Sequence, residues 1–117
     1  MIHYNVWFDL RVETDETDSL DVIREFLTEL HAAGSIAGFQ LLRNSGGAAK
    51  TKMLRFQALM EFRDDAQFSK AFSEQAARGI HTGLHGRAMA LVSAFQIEVF
   101  REIDFSSASS GPAISDL

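Results

Sequence analysis

Two histidines, His81 and His85, stand four residues apart in the run Gly79-Ile80-His81-Thr82-Gly83-Leu84-His85-Gly86-Arg87. On an uninterrupted helix that spacing puts both imidazoles on one face, where they can hold a metal. Gly79, Gly83 and Gly86 disfavour such a helix, and no nearby acidic residue supplies a third ligand, so no metal is assigned. Glycine-flanked histidines beside a cavity suit general acid/base or hydrogen-bonding work better, because imidazole changes charge near neutral pH. The plainer alternative is that both bond to the loop backbone. His81 and His85 are the catalytic candidates, while His31, at the end of a helical stretch, reads as a surface residue favoured by the helix C-terminal dipole.

A second group of chemistry-bearing side chains comes from strands. Residues 2–12 alternate strictly, with Ile2, Tyr4, Val6, Phe8, Leu10 and Val12 on one face and His3, Asn5, Trp7, Asp9 and Arg11 on the other. Residues 53–62 alternate as cleanly, placing Leu54, Phe56, Ala58, Met60 and Phe62 opposite Arg55, Gln57, Leu59 and Glu61. Phe39-Gln40, Phe56-Gln57 and Phe95-Gln96 fall on separate strands; if each Phe points into a helix-covered core, each Gln points to the other, open side. His3, Asn5, Trp7, Arg55, Gln57, Gln96 and Glu98 then share that open face and are the ligand-binding candidates. Trp7 can stack a planar ligand, and Arg55 or Arg87 can hold a carboxylate or enolate. For Arg55, an ion pair with Asp9 or Glu98 on a neighbouring strand is the preferred reading.

The elements that must position these groups follow in order. Asp18 is expected to cap a helix with an apolar stripe at Leu20, Val22, Ile23, Phe26, Leu27 and Leu30, and Gly34 to end it in the left-handed conformation. A less regular strand covers 36–43, and residues 44–52 read as a hairpin loop whose spacing does not match a phosphate loop. Asp64, with Gln67 three residues on, starts a second helix with Phe68, Ala71, Phe72 and Ala76 buried, and Arg78-Gly79 ends it. A loop leads to a short helix over 84–93, and the last strand, 95–103, has Phe95, Ile97 and Val99 inward. Residues 1–105 thus form one domain, and 106–117, rich in Ser with Gly111-Pro112, read as a disordered tail.

The order βαββαβ, with both long helices apolar on one side, predicts an α+β, ferredoxin-like fold: a four-stranded antiparallel sheet with helices on one face and strands one and three central. Trp7, Leu59 and Phe100 would leave apolar surface on the open face, which predicts a homodimer closing two such faces into a barrel with a polar-lined interior.

Composition narrows the partners. The 117 residues are 46% hydrophobic, as expected of one globular domain, and 16 acidic against 11 basic residues argue against nucleic acid and anionic membranes. The lack of cysteine removes disulfides and thiol chemistry. The chain opens on a strand without signal-peptide character and has no run of membrane-spanning length, so a cytoplasmic location is expected.

Three stretches carry a resemblance: Ile2 to Asp9, Phe56 to Asp64, and Arg78 to Gly86. Together they resemble a small family of uncharacterised bacterial proteins whose fold is similar to the dimeric α/β-barrel superfamily. The resemblance implies the fold and the homodimer. The superfamily spans cofactor-free monooxygenases, haem-degrading enzymes, small isomerases and members with no known chemistry, so it narrows function little. Its haem-degrading branch uses an Asn on the first strand, a His on the second helix and a Trp from another strand. Asn5 resembles the first, but His81 lies past the second helix and Trp7 on the first strand, so haem chemistry is not expected and no cofactor is assigned. Two readings remain: a cofactor-free enzyme acting on a small planar metabolite in the barrel interior, or a non-catalytic binding or assembly module. A histidine opening onto an enclosed pocket would favour the enzyme.

Overall fold

The computed structural model describes residues 1–46 and 54–105. Its elements are β1 (Ile2–Leu10), α1 (Glu16–Ala32), β2 (Gly38–Arg43), β3 (Phe56–Phe62), α2 (Asp65–Arg78), α3 (Gly83–Leu91) and β4 (Val92–Arg101). The strands form one four-stranded sheet in the order β2-β3-β1-β4, every neighbouring pair antiparallel. This is the ferredoxin-like arrangement, with the two cleanly alternating strands in the centre. The expected hairpin loop lies mostly, and the expected tail wholly, outside the described residues.

Register converts the alternation into two lateral sets of rows. On the helix side run Phe56–Phe8–Phe95, Ala58–Val6–Ile97 and Met60–Tyr4–Val99; on the other run Gln57–Trp7–Gln96, Leu59–Asn5–Glu98 and Glu61–His3–Phe100. The core sits under α1, where Ile23 and Leu27 pack on Phe8, Leu10, Phe56 and Ala58. A smaller cluster of Ile2, Ile36 and Phe62 lies beside it, with Phe68 and Ala71 of α2 packed against it.

Caps fix where the helices begin and end. The first N-cap is Asp15, one turn earlier than the expected Asp18: its carboxylate accepts from the Asp18 backbone N–H at 2.9 Å. An acidic residue at either position suits a helix N-terminus, so charge alone does not choose between them. At the other end Gly34 has φ +75, the Gly34 N–H donates to His31 and the Ser35 N–H to Leu30, which is the doubly bonded left-handed C-cap. Asp64 caps α2 by accepting from the Gln67 N–H at 2.8 Å. Buried Gln67 also accepts from the Arg63 N–H and donates to the Gly34 carbonyl, tying the start of α2 to the end of α1.

The structure departs from the sequence reading at two apolar stripes and at the end of β1. Phe72 is 42% exposed and Ala76 also faces water, because the second half of α2 stands off the sheet instead of lying on it. Phe95, Ile97 and Val99 do point to the helix side, but at 57%, 45% and 46% exposure they are uncovered. Among the described residues, the helices reach across the other three strands and only the start of β4. Val12, expected on the apolar face, is 97% exposed, since the chain leaves the sheet at Arg11 to make a turn closed by the Thr14 N–H on the Arg11 carbonyl.

Candidate functional site

The gap left by α2 is a cavity of about 290 Å³ between the sheet and the helices. Tyr4, Val6, Phe8, Ala58 and Met60 form its floor, Phe26, Leu27 and Leu30 of α1 one wall, and Ala71, Phe72 and Gln75 of α2 the other. His85 and Met89 of α3 close one end, and the uncovered Phe95 and Ile97 of β4 form an apolar rim. Such a volume suits a small ligand, and an apolar lining with few polar groups is the usual composition of a small-molecule site.

Polar atoms are sparse there. The Gln75 amide nitrogen donates to the Gly79 carbonyl, and the Ser93 hydroxyl is within 3.4 Å of the Leu10 carbonyl. That leaves the Gln75 amide oxygen, His85 and Tyr4. The His85 ring packs edge-on against Phe26, with centroids 5.3 Å apart, and its Nδ1 lies 2.6 Å from the Ile80 carbonyl oxygen. Nε2 is the ring's remaining polar atom. Tyr4 packs its ring on Phe72 at 5.3 Å, and burial pushes its hydroxyl pKa up, since the apolar surroundings penalise a phenolate.

Local sequence explains how His85 is held. α3 begins at Gly83, one residue before the expected start, so Gly86 lies inside the helix. A Cβ at Gly86 would overlap the His81 carbonyl, so only glycine lets the preceding turn lie directly on the helix. Thr82 pins that turn by donating its hydroxyl to the Arg78 and Gly79 carbonyls. The Ile80 carbonyl is thereby brought onto the His85 ring.

The other candidate residues divide by face. His81 is exposed and does not line the cavity. His3, Asn5, Trp7, Gln57, Gln96 and Glu98 share one face, on the opposite side of the sheet from the cavity, whereas Arg55 lies just before β3 and reaches the Leu10 carbonyl and the Phe56 ring at the end of the sheet. The Trp7 indole N–H donates to Glu98 at 2.8 Å, and His3 lies 3.0 Å from Glu102. Arg55 pairs with Asp9 at 3.3 Å, the ion pair preferred from sequence. The Asn5 side-chain oxygen is buried without a hydrogen-bond donor. Tyr4 was read from sequence only as a core residue. Its signal was a phenol in an otherwise aliphatic and Phe-lined face.

Among the described residues no three His, Asp or Glu side chains converge as a metal site needs, and no helix is long and apolar enough to cross a membrane.

Residues 1–113 match the model described as "Family of unknown function (DUF6614)", and the chain belongs to that family. No curated protein matches it. Among solved structures, a hydroxynitrile lyase from Passiflora edulis superposes with a TM-score of 0.70 at 10% identity, covering 88% of this chain and 94% of that one. SnoaB, a cofactor-independent oxygenase from Streptomyces nogalater, gives 0.64 at 12% identity, covering 88% and 93%. A dimeric ferredoxin-like protein of unknown function from Thermobifida fusca gives 0.58 at 16% identity, covering 86% and 90%. At these identities the likeness concerns the fold.

Proposed function

We propose that this chain is a cytoplasmic, homodimeric, cofactor-free enzyme that works on a small planar metabolite in the helix-side cavity, with His85 as the acid/base group. The observation that carries this reading is His85 itself: one ring nitrogen is held by the Ile80 carbonyl while the ring lines an apolar cavity. A proton-transfer group needs a fixed ring and one free nitrogen, and both coincide there on an apolar wall. Tyr4 is the second polar group for orienting the ligand. That the same fold carries a lyase and a cofactor-independent oxygenase supports enzyme chemistry in general.

The open face has a different role in this reading. Trp7, Leu59 and half-exposed Phe100 form an apolar centre among amides, and the orphaned Asn5 oxygen lacks a donor that a second copy's Gln57 or Gln96 amide can supply. The open-face residues are then dimer contacts that line the barrel interior. The dimeric description of the Thermobifida fusca neighbour supports the same assembly.

Saturation-transfer NMR with a set of planar aromatic compounds tests the cavity. Compounds that bind should be lost in Ala71→Trp, which fills the cavity, and kept in Gln57→Ala on the open face. Slow hydrogen–deuterium exchange at an acidic position of a bound compound should depend on His85. Binding that survives Ala71→Trp but fails in Gln57→Ala would move the site into the barrel interior and overturn the proposal.

A further inference from the structure

The polarity of the cavity follows from the way His85 is held. A backbone carbonyl only accepts, so at 2.6 Å the proton between it and the ring is on Nδ1, and a ring that carries that proton alone keeps a lone pair on Nε2. The edge-on packing of Phe26 holds the ring in that setting. From this, and resting on the cavity as the ligand site, we infer that the His85 end of the site selects neutral ligands that place their own O–H there, of phenol or enol type, over ethers and ketones of the same shape. The Tyr4 hydroxyl can donate or accept elsewhere in the cavity. An apolar ligand with an acceptor at the His85 end would set two lone pairs against each other, whereas an O–H there donates to Nε2. A carboxylate or phosphate is disfavoured for the same reason, because Arg55 and Arg87 do not line the cavity.

Gly86 is a positioning residue for this selectivity. It touches no ligand; it lets the turn before α3 lie close enough for the Ile80 carbonyl to reach Nδ1. An alanine there pushes the turn away and frees the ring to carry its proton on either nitrogen.

The test is a matched pair, 2-naphthol and 2-methoxynaphthalene, titrated by NMR into the full chain at mildly alkaline pH. The naphthol is expected to bind at least roughly tenfold more tightly, and His85→Phe to bring the ratio close to one. Long-range proton–nitrogen spectra should show the ring protonated on Nδ1 in the wild type and a mixture of tautomers in Gly86→Ala, with a smaller ratio. Equal binding of both compounds in the cavity, or a ring protonated on Nε2, overturns the inference and leaves the cavity reading intact. Binding of neither compound overturns both. Should Gly86→Ala fail to fold, the wild-type tautomer and the His85→Phe ratio still decide.

Discussion

At the level of single residues, Tyr4 is the side chain whose chemistry is least explained by packing, since Phe would fill its place between Phe68 and Phe72. Its raised pKa has a consequence for stability. Above the ordinary tyrosine pKa of about 10 the unfolded chain ionises while the folded chain resists, so the unfolded state binds fewer protons and stability falls as pH rises. Tyr4→Phe should remove that part of the alkaline loss while leaving stability at neutral pH nearly unchanged, measured by urea unfolding across the two pH ranges. An unchanged alkaline slope in the variant would mean that the hydroxyl is hydrated. His85 was legible as a candidate because glycines surround it. Its separation from His81 was not, because only the packed turn shows which of the two reaches the cavity.

Gln67 is one of the groups that hold elements in place. Replacing it with Ala removes an acceptor from the Arg63 N–H and a donor to the Gly34 carbonyl at a position only 7% exposed. Gln67→Ala should therefore cost about 2–3 kcal/mol in denaturant unfolding. Gly34→Ala should cost only about 1 kcal/mol, because its Cβ would meet open space and the penalty is the left-handed backbone alone. Equal losses at the two sites would show that the bridge between α1 and α2 is not what Gln67 contributes. The strand alternation, the α1 stripe and the first half of the α2 stripe could be read from the chain because they are periodic. The stand-off of α2 could not: periodicity says which side of a helix is apolar, and it is silent on how far that side sits from the sheet.

For the whole molecule, the proposal gives the two faces of the sheet separate tasks, a ligand cavity on one and a subunit contact on the other. Leu59→Arg, at the centre of the open face beside Asn5, should convert a dimer into a monomer in light scattering without loss of the far-UV signal. A wild-type chain that is already monomeric at micromolar concentration sinks the interface. From the sequence, the open face was recognisable by its amides and its Trp, and the fold by its element order. The cavity was not, because it arises from what three helices and β4 fail to cover. The central position of β1 also bears on synthesis. Its partners are β3, which starts at Phe56, and β4, which ends at Arg101, so β1 is flanked on both sides only after the other three strands of the sheet have been made. Until β4 has emerged from the ribosome, one edge of β1 stays bare, and truncation within β4 should leave a nascent chain dependent on chaperones.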